Sequence, residues 1–273
     1  MTRIGMVNYI NTAPIYEVWK ERVDHPDWEV IEAPPSRLNK LLATGAIDLG
    51  FISSYEYCAR PSQYMILSDL SISATGPVGS VFLFASCAPE DLGNRRILLT
   101  GQSDTSIYLV KIILEEFFAV QPRYTVGEIF EEQDALDGFD GILAIGDEAL
   151  RLSLENPYQF RLDLGEIWQR HTDLPFVFSV CAVREAYLAH NEEDVRQVHQ
   201  TLLACREEGL NRLPEISDRV AQRIPMDREA CSLYLQGIEY DLGPVKQMAL
   251  ERFLNYLIQR KEAAPKALPL KIF

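Results

Sequence analysis

The stretch Ile97-Leu98-Leu99-Thr100-Gly101-Gln102-Ser103-Asp104-Thr105-Ser106 decides the fold class of this chain. A short apolar, strand-like run ends in a glycine and a cluster of hydroxyls. Ile107, Val110, Ile113, Leu114 and Phe117 then fall at helical spacing. Ser103 is a favoured N-cap residue, and Asp104 suits the first helical turn. The first N–H groups of such a helix have no partner inside it and face outward with the positive end of the helix dipole. The junction therefore offers a seat for a carboxylate or phosphate, built from Ser103, Thr105 and Ser106. A plain helix cap explains Ser103 equally well, so Thr105 and Ser106 are the stronger candidates for ligand contact.

The same grammar recurs three times. Ile4 to Tyr9 reads as a strand and runs into Asn11-Thr12-Ala13-Pro14, where Asn or Thr can cap and Pro fits a first turn. Asp48-Leu49-Gly50-Phe51-Ile52 runs into Ser53-Ser54, and Gly141-Ile142-Leu143-Ala144-Ile145 runs into Gly146-Asp147-Glu148. In open α/β sheets ligands sit outside the carboxyl ends of the strands, where helix N-termini gather. Repeated junctions rich in small polar side chains predict one shared anion-binding cleft, with Ser53 and Ser54 lining it from the first part of the chain. The bland alternative at each junction is capping alone. Asp147 fits capping better than contact with an anion, because like charges repel.

Composition narrows the function classes. The 273 residues can bury an ample core in one large domain or two lobes. Twenty-six Lys and Arg against 40 Asp and Glu give a net charge of −14, which argues against nucleic acid or an anionic membrane surface as partner. An anionic ligand must then be held by local donors rather than drawn in by net charge. The run from Ile4 begins almost at Met1 with no basic region or cleavage site before it, and no apolar run is long enough to span a membrane. Cys58, Cys87, Cys181, Cys205 and Cys231 are scattered, odd in number and without a Cys-x-x-Cys pair. These features predict a cytoplasmic protein without a disulfide framework. The four histidines lack metal-ligand spacing, so no metal site is expected.

Along the chain, strand and helix alternate to about Phe84, including a short helix from Pro35-Ser36 to near Gly45 and a clear strand at Ser80–Phe84. Alternation resumes from Arg96 to about Val180. The last third is helical, with helices opening at Asn191, lying around Glu215–Arg223 and Asp227–Leu235, and starting at Pro244. A loose tail is expected after Ala263. No internal repeat is present. An α/β lobe interrupted by a second lobe and closed by C-terminal helices is the pattern of a two-lobed binding fold, with the ligand cleft between lobes and closure by hinge. The expected division is residues 1–85 plus 184–273 for the first lobe and 86–183 for the second.

Several segments together carry a more specific resemblance. They are Asn8-Tyr9-Ile10-Asn11-Thr12-Ala13-Pro14, the run from Gly45 to Ser54, the run from Ile72 to Val81, Ser103-Asp104-Thr105-Ser106, and the long run from Asp163-Leu164-Gly165 through Trp168 and Thr172 to Leu174-Pro175-Phe176-Val177-Phe178. In this order, from about Arg3 to Arg184, they resemble the MqnA family, the chorismate dehydratases of the futalosine route to menaquinone. One departure is Cys181, where the family often has Trp. The sister family, the 1,4-dihydroxy-6-naphthoate synthases, has a Cys-Pro-Asn-Asp style motif near its N-terminus that is absent here.

The resemblance implies a fold like type II periplasmic binding proteins, used as a cytoplasmic enzyme. It implies a hydro-lyase reaction in which chorismate loses water to give 3-[(1-carboxyvinyl)oxy]benzoate, without cofactor or metal. Catalytic roles fall on the motif positions Asn11 and Ser80. Thr172 and Pro175 would shape the return crossover and the pocket wall, Trp168 reads as core, and Asp48 as a structural residue fixing a turn. Aromatisation drives the reaction, so orientation and electrostatic help are what the protein must supply. No His is placed as a base, which suggests that the substrate's own enolpyruvyl carboxylate takes the proton. Two other readings stay open: a small-carboxylate sensor or carrier without turnover, and a dehydratase acting on another carboxylated ring. The sequence leaves the oligomeric state open.

Overall fold

The computed structural model describes residues 1–129, 138–155, 158–224 and 226–273. Two five-stranded sheets organise it. The first is built from β1 (Thr2–Val7), β2 (Trp28–Ala33), β3 (Leu49–Ser53) and β4 (Tyr64–Ala74), with α1 (Ala13–Arg22), α2 (Pro35–Thr44) and α3 (Ser54–Ala59) between them. The chain then enters the second sheet with β5 (Val81–Ala85), β6 (Arg96–Thr100), β7 (Arg123–Gly127), β8 (Gly141–Ile145) and β9 (Phe160–Asp163). Its helices are α4 (Asp104–Ile112), continued by a π turn over Ile113–Phe117, α5 (Gly146–Glu155) and α6 (Leu164–Thr172). The chain returns to the first sheet through β10 (Phe176–Arg184). A helical third follows: α7 (Glu185–Leu188), α8 (Glu192–Asn211), α9 (Leu213–Val220), α10 (Arg228–Gln236) and α11 (Pro244–Gln259).

The strand orders are β2-β1-β3-β10-β4 and β7-β6-β8-β5-β9. In each sheet three parallel strands meet one antiparallel strand that has crossed from the other sheet. The central strands β3 and β8 are buried along their whole length, as strands covered on both faces must be. The outer strand β7 has only exposed and half-buried residues, as an edge does.

Sheet membership moves both expected lobe boundaries. Val81–Ala85 pairs with β8 and β9, so it belongs to the second sheet rather than closing the first. Phe176–Arg184 pairs with β3 and β4 and so belongs to the first sheet. The chain therefore crosses between residues 74 and 81 and again between 172 and 176. Both crossing strands are almost continuously apolar, and such runs look alike whichever sheet they join. The tail is also not loose. Ile66 N–H donates to the Lys271 carbonyl and Phe273 N–H to the Ile66 carbonyl, both at 2.8 Å, which covers the free edge of β4.

The expected helices of the last third are present, and α10 is capped by Asp227, which accepts from Ala230 N–H at 2.8 Å. Trp168 is fully buried and donates to the Pro175 carbonyl at 3.0 Å, a core role. Asp48 accepts from the Arg3 backbone N–H and from the guanidinium groups of Arg3 and Arg184, tying β1, β3 and β10 together at one end. Among the described residues no helix is long and apolar enough to cross a membrane.

Candidate active site

The carboxyl ends of the strands in the two sheets face each other across a cleft with about 520 Å³ of empty space, counting its mouth. From the first sheet's side come Val7, Tyr9, Asn11, Ser53 and Ser179. From the second come Ser80, Ser103, Ser106, Ile145 and Gly146. The lining is apolar walls with convergent hydroxyls, and no lysine or arginine lines it among the described residues. The polar groups such a lining offers are neutral donors and a helix N-terminus.

Each polar group has a definable role. Ser103 caps α4, its Oγ accepting from Ser106 N–H at 3.2 Å and donating to Ser106 Oγ at 3.1 Å. The Ser106 hydroxyl hydrogen is left without a protein acceptor among the described residues, beside the free N–H groups of the first turn of α4. Ser53 caps α3 and accepts from Glu56 N–H and from Asn39 Nδ2. Asn11 is not a cap. Thr12 precedes α1, and its hydroxyl donates to the Val7 carbonyl instead. The Asn11 side-chain oxygen is buried at the cleft with no protein partner. A buried orphan acceptor costs about 1–3 kcal/mol, which a bound donor would recover. Ser80 is buried at the crossing into β5 and accepts from the Tyr234 hydroxyl at 3.0 Å.

Five of the expected site residues, Asn11, Ser53, Ser80, Ser103 and Ser106, therefore share one cavity. Four others do not line it. Ser54 Oγ donates to the Val177 carbonyl of β10 at 2.6 Å, so it ties the start of α3 to the neighbouring strand. Thr105 Oγ1 accepts from Tyr55 N–H at 2.9 Å and joins the two lobes rather than reaching the cavity. Thr172 closes the last turn of α6 by donating to the Trp168 carbonyl at 2.8 Å. Pro175 spends its carbonyl on the Trp168 indole.

The lobes touch across the cleft. Tyr9 Oη donates to Gln102 Oε1, Ser36 N–H to the Gln102 carbonyl at 3.1 Å, and Asn39 Nδ2 to Asp104 Oδ2 at 3.0 Å. Asp147, expected to cap its own helix, instead accepts from Ile10 N–H of the opposite lobe at 3.1 Å. Tyr55 stacks on Tyr108 with ring centroids 4.0 Å apart. This is a closed arrangement. No site role was expected of Tyr9, Gln102 or Tyr234, and Asp147 was expected only as a cap. Each works through a contact between chain segments far apart in sequence, although Tyr9 and Gln102 sit inside stretches already singled out.

Glu148 lies just behind this seam, in the first turn of α5. Burial pushes its carboxyl up to about 7 from the usual 4.5, against the opposing pull of Thr100 and Arg151. A carboxyl raised by folding favours the folded state most where it is protonated. Stability therefore falls as pH rises from about 4.5 to about 7. Glu148→Gln keeps the shape and removes the ionisation. In urea melts the variant is expected to be more stable than the parent by about 1–3 kcal/mol at pH 8, with the gap closing near pH 4.5. Equal stability of the two at pH 8 would show that Glu148 ionises there without penalty.

Two lobes of mixed sheet, a double crossover and a cleft at the strand ends define a two-lobed fold like that of periplasmic binding proteins. Solved structures with that architecture agree. The alkanesulfonate-binding protein of Xanthomonas axonopodis pv. citri bound to MOPS matches with a TM-score of 0.72 at 15% identity, over 100% of this chain and 97% of its own. The periplasmic aliphatic sulphonate binding protein of Escherichia coli matches at 0.66 and 13%, over 97% and 94%. Within that architecture the chain belongs to the menaquinone biosynthesis family, whose model matches residues 2–259. A curated chorismate dehydratase from Thermus thermophilus is 31% identical over 269 residues, covering 93% of this chain and 94% of the relative.

Proposed function

We propose that this chain is a chorismate dehydratase, a hydro-lyase converting chorismate to 3-[(1-carboxyvinyl)oxy]benzoate and water for menaquinone biosynthesis in the cytoplasm. The observation that carries the reading is the near full-length likeness to the Thermus thermophilus chorismate dehydratase. The cleft supports it with hydroxyls, one orphan amide oxygen and, among the described residues, no lysine or arginine, which suit a small carboxylated ring held for elimination.

In the reaction a ring C–H bond breaks and its electron pair becomes the last double bond of the aromatic ring. The C–O bond on the neighbouring carbon breaks, and the departing hydroxyl leaves as water, its second proton being the ring proton passed on by the enolpyruvyl carboxyl group. The ring gains aromaticity, so the barrier is lowered chiefly by holding the groups in line. The α4 N-terminus with Ser103 and Ser106 seats a substrate carboxylate. Asn11 accepts from the substrate hydroxyl through its free amide oxygen. Ser80 donates to the departing oxygen or to the enolpyruvyl group. The substrate's enolpyruvyl carboxylate takes the ring proton. Thr105, Asn39 and Asp147 act on closure, since their bonds join the lobes.

The test is to mix the purified protein with chorismate and follow products by chromatography with mass detection. The water-loss product above the buffer background is the expected result. Saturable binding without turnover would instead make the chain a carrier or sensor, and absence of both would end the chorismate reading.

A further inference from the structure

A hydroxyl in an active site is useful only if its hydrogen points the right way. Ser80 has one hydrogen and is 2% exposed. Its Oγ accepts from Tyr234 Oη at 3.0 Å. Among the described residues no protein acceptor takes the Ser80 hydrogen in return, and the side chain lines the cleft. With one lone pair filled by Tyr234, the hydrogen is left to the cavity. Burial raises the Tyr234 phenol above its ordinary range, so it remains a neutral donor under working conditions.

The surroundings hold this donor in place. Gly79, with φ of +72°, leaves the space that the Tyr234 ring fills, and a Cβ there would lie 3.3 Å from Tyr234 Cδ2. Asp163 accepts from the N–H groups of Val78 at 3.1 Å and Gly79 at 2.7 Å, fixing the turn that carries Ser80. Gly146 N–H donates to the Ser80 carbonyl at 2.7 Å. The segment after α10 is moored to β4 by two Glu239–Ser73 backbone bonds of 2.9 Å. From that segment Tyr240 Oη donates to the Asn11 carbonyl at 2.9 Å. One stretch of the C-terminal helical region thus braces both Asn11 and Ser80.

We propose that Tyr234 is a positioning residue that acts through Ser80, its hydroxyl orienting the Ser80 hydrogen toward the bound molecule. This rests on the chorismate reading for its kinetics, but the hydrogen bond itself does not.

Tyr234→Phe keeps the ring beneath Gly79 and removes only the donor. It is expected to lower kcat by about tenfold while KM stays within about threefold. The decisive measurement is the cycle with Ser80→Ala. If Tyr234 acts through Ser80, the double variant is no slower than Ser80→Ala alone. Losses that multiply in the double variant would mean that the Tyr234 hydroxyl acts independently of Ser80, and would overturn the proposal. The same cycle is run on the affinity for 3-[(1-carboxyvinyl)oxy]benzoate by calorimetry. There Tyr234→Phe is expected to weaken binding about threefold in the parent and not at all on the Ser80→Ala background. Should the parent bind this molecule but fail to turn over chorismate, the function reading falls and the affinity cycle alone decides the role of Tyr234.

Discussion

Replacing Asn11 by Ala is expected to lower kcat for chorismate by about a hundred- to a thousandfold, the usual loss when one preorganised polar group at a reacting centre is removed. KM should move less than about fivefold, because the carboxylate seat proposed at Ser103 and Ser106 lies on the other lobe and is untouched. The argument starts from the orphan oxygen. Asn11 Oδ1 is buried without a protein partner, while the residue's backbone carbonyl is held by Tyr240. The fold thus fixes the main chain and leaves the side chain for a ligand. Asn11→Asp separates shape from charge. It retains the size but sets a carboxylate beside a dicarboxylate substrate, so KM should rise as well as kcat fall. Steady-state kinetics on both variants and on Ser80→Ala check this. If Asn11→Ala and Ser80→Ala both keep near-normal kcat, neither residue handles the reacting atoms.

How far the site was legible in the sequence follows from the reach of each interaction. Ser53 and Ser103 were readable because a cap bonds three residues ahead, as Glu56 N–H and Ser106 N–H do here. The cleft itself was readable from repeated strand-to-helix junctions, since both sheets place those junctions at one edge. Ser54, Thr105, Thr172 and Pro175 carried the right residue types, but pattern alone does not say which way a side chain turns. Ser54 and Thr105 are committed to Val177 and Tyr55, partners 123 and 50 positions away. Thr172 is committed inside its own helix. Tyr234 had no local signal at all, because its partner Ser80 lies 154 positions earlier. The family resemblance found Asn11 and Ser80 through their motifs. It could not reveal that the helical last third, where specific motifs were absent, braces them.

That bracing makes a second large effect expected far from the cleft. Gly209 lies in the last turns of α8, where α8 crosses the start of α1. A Cβ on Gly209 would fall 1.7 Å from the Pro14 carbonyl oxygen and 2.5 Å from its carbon. Helix propensity alone would make Gly209→Ala stabilising by up to about 1 kcal/mol. Sterics reverse the sign, because the obstacle is backbone, which no side-chain rotation relieves. The two helices must part, against ion pairs that join them at Arg22–Glu208 (2.7 Å) and Arg212–Glu21 (2.8 Å). Those pairs are partly exposed and add little of their own. The main loss is packing along the whole contact, about 3 kcal/mol for an overpacked site. For a chain of this size that corresponds to a fall in Tm of roughly 6–12 °C. Pro14 follows Asn11 by three residues, so the displacement also reaches the reaction centre. Activity measured well below the lowered Tm should therefore fall too, by more in kcat than in KM. Calorimetric melting and kinetics at 20 °C below Tm check the two halves separately. A variant that melts at or above the parent temperature would mean that α1 and α8 do not approach through Gly209. A lower Tm with unchanged kcat would detach Asn11 from the packing of α1 on α8.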